Sequence, residues 1–300
     1  MTAKSVKVKT RSNRSSVEIK EQKLRSLMRE MDGVLVAYSG GVDSSYLALI
    51  ATQELGGRAV SMIGLSPSVS TYQREQAEKI ANDNGFNFDS FDTSEIEDEN
   101  YKANPTNRCY FCKTELYGEL AKIAEMKGIE FVLDGANSDD KKDHRPGSVA
   151  ALEKNVRSPL ADLGFSKNEI RERSQKLGLE TWDKPASPCL ASRIQYGVPV
   201  SINRLGKVER GEEVLRSMGF NEFRVRCHDE LARIEISKEE LPKALDASIA
   251  KKMAIAFREI GFKYVTLDLH GFRSGAMNEV LAPNTSFSNS IDSFINKVDN

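Results

Sequence analysis

The segment NRCYFCK, at positions 107 to 113, places two cysteines three positions apart. Cys109 and Cys112 are two of only four cysteines in this chain of 300 residues. Such a pair ahead of a helix is typical of a redox-active dithiol, half a zinc site or part of an iron–sulfur site. A structural zinc ion needs four protein ligands, and the chain has no second C-x-x-C. The pair therefore predicts thiol or metal chemistry.

A third cysteine, Cys189, lies in the loop sequence KPASPCLASR. Three cysteines suit a [4Fe–4S] cluster in which one iron has no protein thiolate. We therefore predict that Cys109, Cys112 and Cys189 are metal ligands with a catalytic role. Cys227 lies in a strand pattern, where a lone cysteine is usually a small core residue.

The segment YSGGVDSS, at positions 38 to 45, lies where an apolar strand pattern ends and a helix pattern begins. Its glycines leave backbone N–H groups available to an anion, its serines add hydroxyls, and the helix contributes its dipole. The segment is not a Walker A loop, because it has no Gly-Lys-Ser/Thr ending. An ordinary glycine turn is the alternative. The predicted anion ligands are Ser39, Gly40, Gly41, Ser44 and Ser45.

The segment LDGANSDD, at positions 133 to 140, follows a later strand pattern. Gly135 would let a nucleotide approach the backbone, and Asp134 is followed by further polar side chains that could contact Mg²⁺ or an acceptor. A solvated acidic turn is the alternative for Asp139 and Asp140.

Three arginines are candidates for a phosphate clamp. Arg193 lies in the loop that carries Cys189, and Arg224 and Arg226 are two positions apart, which places them on one face of a strand. A surface ion pair is the competing interpretation for each of them.

Strand and helix patterns alternate in the first two thirds of the chain. This alternation predicts an α/β fold with a doubly wound parallel sheet. Predicted strands are 33–38, 59–65, 86–92 and 130–135, and predicted helices are 18–31, 45–55, 68–85 and 113–128. The stretch 141–200 is predicted to be mostly loop, with one helix at 166–177.

A different pattern follows and predicts a small α+β C-terminal domain. It contains helices at 203–219 and 238–260, and strands at 222–228, 231–237 and 263–269. The predicted organisation is a mobile basic tail at 1–19, a large domain at 20–198, the α+β domain at 199–282 and a mobile tail at 283–300.

The amino-acid composition argues against nucleic acid and membranes as binding partners. The 43 basic and 44 acidic residues give a net charge of −1, so no global field would attract nucleic acid or a membrane surface. No apolar run is long enough to span a membrane, and the first 16 residues lack the apolar segment of a secretory signal. We predict a soluble, cytoplasmic protein.

The Ser-Gly-Gly-x-Asp-Ser segment resembles the PP-loop ATP pyrophosphatases, which include GMP synthetase and tRNA-thiolating enzymes. The resemblance implies an adenine nucleotide alpha hydrolase-like fold that binds ATP and Mg²⁺. It also implies cleavage between the α and β phosphates and adenylation of an acceptor oxygen. Asp43 is implied to orient Mg²⁺ or pyrophosphate, and Asp134 and Gly135 to contact the nucleotide.

Three later segments resemble the LarE sulfur transferases of nickel-pincer nucleotide synthesis: KPASPCLASRIQYG, FRVRCHDELARIEI and GFKYVTLDLHGFRSGAMN. The resemblance implies adenylation of a carboxylate of pyridinium-3,5-biscarboxylic acid mononucleotide, followed by sulfur delivery that forms a thiocarboxylate. It implies that Arg224 and Arg226 hold substrate phosphate. It also implies a small-molecule nucleotide substrate and a homo-oligomer.

Members of this family differ in cysteine content. Members with a single cysteine near position 189 sacrifice its sulfur, whereas members with three cysteines resemble [4Fe–4S] enzymes that a sulfide source reloads. This chain resembles the second type, and the sacrificial route through Cys189 stays open. Two other hypotheses are an iron–sulfur tRNA thiolase and a nucleotide-binding regulatory protein with structural zinc.

Overall fold

The computed structural model describes residues 15–140 and 146–273. The contacts divide the chain into two compact units, with the division between Pro188 and Cys189. Positions 1–14 and 283–300 of the two predicted tails lie outside the described residues. The first predicted tail is too long, because helix α1 (Ser16–Glu30) begins before residue 20. A capping box between Ser15 and Glu18 starts this helix.

The first unit contains a four-stranded parallel sheet, as predicted. Its strands are β1 (Val34–Ala37), β2 (Ala59–Leu65), β3 (Asn87–Asp92) and β4 (Phe131–Leu133). Their order is β3-β2-β1-β4, and each neighbouring pair is parallel. The sheet therefore requires crossover connections, which helices provide.

Helices cover both faces of this sheet. They are α1, α2 (Val42–Leu55), α3 (Thr71–Asp83), α4 (Glu99–Lys102), α5 (Arg108–Met126), α6 (Pro146–Glu153), α7 (Pro159–Asp162) and α8 (Lys167–Lys176). Val34 and Val36 of β1 pack into a core with α1, α2, α3 and α8. Leu35 faces a second core with α5 and α6. This alternation, with both faces buried, is the doubly wound arrangement.

Three of these helices, α4, α6 and α7, were not predicted. α6 and α7 lie in the stretch that we expected to be mostly loop, and each begins at a proline, Pro146 or Pro159. Proline is compatible with the first turn of a helix, so a proline-rich sequence does not exclude short helices.

The second unit is a small α+β unit. It contains α9 (Ile202–Ser217), β5 (Phe223–His228), β6 (Leu231–Ile236), α10 (Leu241–Ala244), α11 (Ala247–Ile260) and β7 (Tyr264–Leu267). The strands are ordered β5-β6-β7, with β5 antiparallel and β7 parallel to β6. The single helix predicted at 238–260 is wrong, because Asp246 separates α10 from α11 and caps α11.

The division between the units comes ten residues before the predicted boundary of 198/199. The residues after Cys189 bond within the second unit, where Ile194 forms a bridge with Cys227 and the Gln195 N–H donates to the Cys227 carbonyl. Residues 189–193 of the KPASPCLASR loop therefore belong to the second unit, whereas residues 184–188 belong to the first. No helix in the described parts of the chain has the length and apolar character needed to cross a membrane.

A buried ionic network joins α1, α2 and α8. Glu21 is 4% exposed and accepts hydrogen bonds from Arg173 (2.6 Å), Arg25 (3.0 Å) and the Tyr46 hydroxyl (3.1 Å). Burial opposes ionisation of Glu21, but the hydrogen bonds from Arg173 and Arg25 outweigh it and lower its pKa below 4.5. The network therefore holds an ionised carboxylate inside the first unit.

Replacing Glu21 with Gln is expected to lower the free energy of unfolding by about 3 kcal/mol, because two arginines lose a buried partner. Because the pKa of Glu21 is lower in the folded protein than its ordinary value of 4.5, the ionised carboxylate stabilises the fold at pH values above 4.5. This stabilisation is lost as the pH falls through the lowered pKa. Urea unfolding at pH 7 and pH 4 would therefore show a smaller difference between wild type and variant at pH 4. Glu172→Gln, which breaks an exposed pair with Lys176, is the control. A loss in Glu21→Gln no larger than in this control would contradict the assignment.

Candidate functional site

The predicted phosphate loop connects β1 to α2 and has an internally bonded conformation. The Ser39 N–H donates to the Ser44 hydroxyl (3.2 Å), and the two serine hydroxyls lie 3.0 Å apart. The Gly41 N–H lies 3.4 Å from the Ser39 hydroxyl, and Gly41 caps α2 without a side-chain bond. Ser45 is fully buried beside Tyr38, so it supports the loop from the interior. The loop thus presents Ser39, Gly40 and Gly41 at the start of a 14-residue helix.

Two glycines, Gly40 and Gly135, allow neighbouring segments of the chain to pack closely against their backbone at this loop. Gly40 has a φ of +67°, and a Cβ atom there would lie 2.6 Å from the Ala77 Cβ atom of α3. Gly135 follows β4, and a Cβ atom there would lie 2.8 Å from the Ser44 nitrogen. Glycine is therefore required at both positions. At Gly135 the approaching group is the Ser44 backbone, whereas the sequence pattern suggested a nucleotide.

Asp43, in the first turn of α2, is mostly enclosed. Its Oδ2 atom accepts from Lys167 (2.7 Å) and from the Asn137 side chain (3.4 Å). Its Oδ1 atom is buried and has no hydrogen-bond partner among the described residues. Burial raises the pKa of Asp43, the Lys167 ammonium opposes this, and the Asp140 carboxylate adds to it. A buried carboxylate oxygen without a donor, with a second carboxylate nearby, fits a divalent cation such as Mg²⁺.

Both carboxylate oxygens of Asp134 accept hydrogen bonds from neighbouring residues of the first unit. One oxygen accepts from the Tyr117 hydroxyl of α5 (2.8 Å), and the other accepts from Ser158 (2.7 Å) and the Ala136 N–H (3.2 Å). Asp134 therefore fixes the end of β4 against α5 and orients the turn that contains Gly135. Asp139 and Asp140 accept backbone N–H bonds from Lys167 and Asn137.

Two lysines at the loop were missed by sequence reasoning. Lys167 of α8 pairs with Asp43, and the Lys184 ammonium lies 3.2 Å from the Gly40 carbonyl. These contacts span 124 and 144 residues, so no local spacing reveals them. The only signal was that Lys184 opens the KPASPC segment.

The two close cysteines lie inside a helix and not before one, which corrects our prediction. α5 begins at Arg108 and not near Lys113, so Cys109 and Cys112 occupy its first turns. Arg108 is buried and donates to Asn104, which fixes the start of the helix. Residues three apart lie on the same side of a helix, and the helix dipole stabilises thiolates near its N-terminus. Cys109 is exposed and Cys112 is half-buried.

Cys189 and Cys227 belong to the second unit. Cys189 is half-buried and precedes a short 3₁₀ turn at Leu190–Arg193. Cys227 is fully buried in β5, in agreement with a core role. Each of the four cysteines, all within the described residues, carries a thiol and not a disulfide.

The three predicted clamp arginines lie near each other in the second unit, and two of them have carboxylate partners. Arg193 bonds Glu212 (2.9 Å), and Arg226 makes two bonds to Glu235 (3.0 and 2.8 Å). The Arg224 guanidinium lies over the Phe272 ring, 4.8 Å from its centroid.

The charges around Arg224 favour an added anion. Burial first, and then the charges of Arg193 and Arg226, lower the pKa of Arg224 to about 10, although the carboxylates of Glu212 and Glu222 act in the opposite direction. A desolvated guanidinium beside two like charges would be stabilised by a phosphate. The sequence revealed the arginines but not the partners Glu212 and Glu235.

Comparison with known proteins identifies the family of the chain. The chain is 45% identical over 265 residues to an uncharacterized protein of Synechocystis, covering 88% of the chain and 99% of that protein. It is 34% identical over 268 residues to the pyridinium-3,5-bisthiocarboxylic acid mononucleotide synthase of Lactiplantibacillus plantarum, covering 89% of the chain and 96% of that enzyme. The chain belongs to the LarE family. No family model matches it.

A more distant similarity covers about half of this LarE chain. The chain is 28% identical over 176 residues to one subunit of the glutamine-hydrolyzing GMP synthase of Thermoplasma acidophilum, covering 53% of the chain and 56% of that protein. This similarity agrees with the PP-loop type of α/β fold.

The predicted cluster ligands of this LarE chain are divided between its units. Cys109 and Cys112 come together on α5, whereas Cys189 belongs to the second unit. Within residues 15–140 and 146–273, no three His, Cys, Asp or Glu side chains form a complete metal-binding group. The two α5 thiols fit as adjacent ligands of one cluster, because they share a helix face near the positive end of the dipole.

Substitution of Arg226 should destabilise this LarE chain much more than substitution of Arg224. Arg226→Met is expected to lower the free energy of unfolding by about 3 kcal/mol, because it breaks a buried pair with Glu235. Arg224→Met keeps apolar contact with Phe272 and should change stability by less than about 1 kcal/mol. Urea unfolding of both variants checks this, and an equal loss in both would contradict the distinction.

Proposed function

We propose that the chain is an ATP-dependent sulfur transferase. It adenylates a carboxylate of pyridinium-3,5-biscarboxylic acid mononucleotide, releases pyrophosphate and inserts sulfur to form a thiocarboxylate. The observation that carries the proposal is Asp43, whose buried oxygen without a donor lies at the start of a glycine loop suited to phosphate. The similarity to the pyridinium-3,5-bisthiocarboxylic acid mononucleotide synthase of Lactiplantibacillus plantarum supports the choice of substrate.

The first half-reaction is acyl adenylation. A substrate carboxylate oxygen attacks the α-phosphorus of ATP, the bond to the β-phosphate oxygen breaks, and pyrophosphate leaves with the bonding electron pair. The N–H groups of Ser39 and Gly41 would exchange the hydroxyls of Ser44 and Ser39 for phosphate oxygens. Together with the Gly40 N–H and the N-terminus of α2, they would stabilise the departing charge. Asp43 would hold Mg²⁺ through Oδ1, while Lys167 and Asn137 fix Oδ2.

The second half-reaction is sulfur transfer. A sulfur nucleophile attacks the acyl carbon, a C–S bond forms, and AMP leaves as the C–O bond breaks. Cys109, Cys112 and Cys189 would be the ligands of a [4Fe–4S] cluster, which supplies sulfide to this chemistry without consuming the protein. A sulfide source is the partner that such a site would require. If no cluster forms, Cys189 itself is the candidate sulfur donor.

Arg224 would bind the phosphate of the mononucleotide, with Arg193 and Arg226 held beside it by Glu212 and Glu235. This arrangement serves a small nucleotide, whose single phosphate requires one local cationic group. Cytoplasmic location and a homo-oligomeric state stay predictions.

The test is anaerobic purification followed by two assays. Iron and acid-labile sulfide are measured, and pyrophosphate release is followed with ATP, Mg²⁺ and pyridinium-3,5-biscarboxylic acid mononucleotide. We expect about four irons per chain, and pyrophosphate release that depends on the mononucleotide. Release that depends on tRNA instead would favour the tRNA thiolase. ATP binding without pyrophosphate release would favour the regulatory protein.

A further inference from the structure

Lys184 lies beside the phosphate loop, and no anionic partner among the described residues compensates its charge. Its ammonium donates to the Gly40 carbonyl at 3.2 Å, and the part of the chain that the structure describes places no carboxylate at ion-pair distance from it. The other nearby lysine differs, because Lys167 is paired with Asp43 at 2.7 Å. A neutral carbonyl compensates a lysine charge poorly, so the two lysines are not equivalent.

The surroundings of Lys184 make its positive charge unfavourable. The side chain is half-buried, and desolvation lowers the pKa of its ammonium. A partly buried cation without a counter-ion costs free energy, which a bound anion would offset. The Gly40 carbonyl that Lys184 contacts belongs to the loop whose N–H groups are the proposed phosphate ligands.

The backbone on both sides of Lys184 is fixed to the first unit. Arg171 of α8 donates to the carbonyls of Trp182 (2.6 Å) and Lys184 (2.8 Å). Gln73 of α3 donates to the carbonyl (2.8 Å) and hydroxyl (3.0 Å) of Ser187. A side chain on a fixed backbone loses less conformational entropy when it binds a ligand.

We propose that Lys184 binds the pyrophosphate portion of ATP and supplies the cation that the Ser-Gly-Gly-x-Asp-Ser segment itself does not contain. The ammonium would exchange the Gly40 carbonyl for a phosphate oxygen when the nucleotide binds. The inference rests on the proposed function, because it requires ATP in this loop. It adds a ligand that lies outside that segment.

The test measures the affinity of magnesium pyrophosphate and, separately, of AMP by isothermal titration calorimetry. Lys184→Met is expected to weaken pyrophosphate binding by about ten- to hundredfold, which is the usual effect of losing a hydrogen bond to a charged group. AMP affinity should stay unchanged, because AMP has no β or γ phosphate. Lys184→Arg should retain most of the pyrophosphate affinity. Lys122→Met, which removes an exposed lysine paired with Glu119, is the control and should bind like wild type.

The outcomes separate this inference from the proposed function. If Lys184→Met binds pyrophosphate as tightly as wild type, or loses AMP and pyrophosphate affinity equally, Lys184 is not a pyrophosphate ligand. If wild type binds neither compound, the proposed function and the inference are both overturned. Lys184→Gln removes the charge but keeps a donor for Gly40, so it replaces the Met variant if that variant fails to fold.

Discussion

Replacing Gly40 with Ala is expected to reduce ATP-dependent pyrophosphate release by about a hundredfold or more, the usual result of misplacing reacting groups by an ångström. The new Cβ atom would lie 2.6 Å from the Ala77 Cβ atom and 2.8 Å from its Cα atom. Backbone atoms of a packed helix cannot move aside at low cost, so the loop itself must shift. The measurement is steady-state pyrophosphate release at saturating mononucleotide.

Gly85→Ala is the matched control for this variant. Gly85 has a φ of +66°, nearly that of Gly40, but a Cβ atom there would meet nothing within 4 Å. Both substitutions carry a similar left-handed backbone strain of about 1–2 kcal/mol. Pyrophosphate release should therefore survive in Gly85→Ala and be lost in Gly40→Ala. Full activity in Gly40→Ala would remove the loop from the proposed mechanism.

A Cys109→Ser and Cys112→Ser double variant is expected to lose bound iron and sulfur transfer, while pyrophosphate release changes little. The reason is spatial, since the thiols lie on α5 whereas the loop lies between β1 and α2. Iron content, thiocarboxylate formation and pyrophosphate release should be measured on one anaerobic preparation. The variant would then separate the two half-reactions.

Cys227→Ala is the control for the cysteine experiment. Cys227 is fully buried, so its loss should reduce stability but leave iron content unchanged. A double variant that retains about four irons per chain would contradict the cluster assignment. A wild-type protein that stays iron-free after reconstitution would instead make Cys189 the candidate sacrificial donor.

The parallel sheet could be predicted because its strands are short apolar runs separated by helical patterns. β2, predicted at 59–65, has the same bounds in the structure. The early start of α5 could not be predicted from propensity, since Cys, Tyr and Phe are weak helix formers. A buried local bond fixes that start, because Arg108 donates to Asn104, four residues earlier in the chain.

The candidate site could be predicted only where its residues are close in sequence. The phosphate loop and the C-x-x-C pair are such local patterns, and both can be recognised from residue type and spacing. The partners that set the electrostatics are remote: Lys167 reaches Asp43 across 124 residues, and Glu212 reaches Arg193 across 19. Their positions depend on how helices pack, which a local pattern does not contain.

The anchoring of α5 has a consequence for how this family changes over evolutionary time. Arg108 fixes the start of the helix, and the Tyr117 hydroxyl, bonded to Asp134, fixes it further along. Cys109, which is exposed, and Cys112, which is half-buried, lie between these anchors in the helix. Mutations at the two positions can therefore accumulate without unfolding the helix. A lineage could gain or lose the paired thiols while it keeps the same adenylating scaffold.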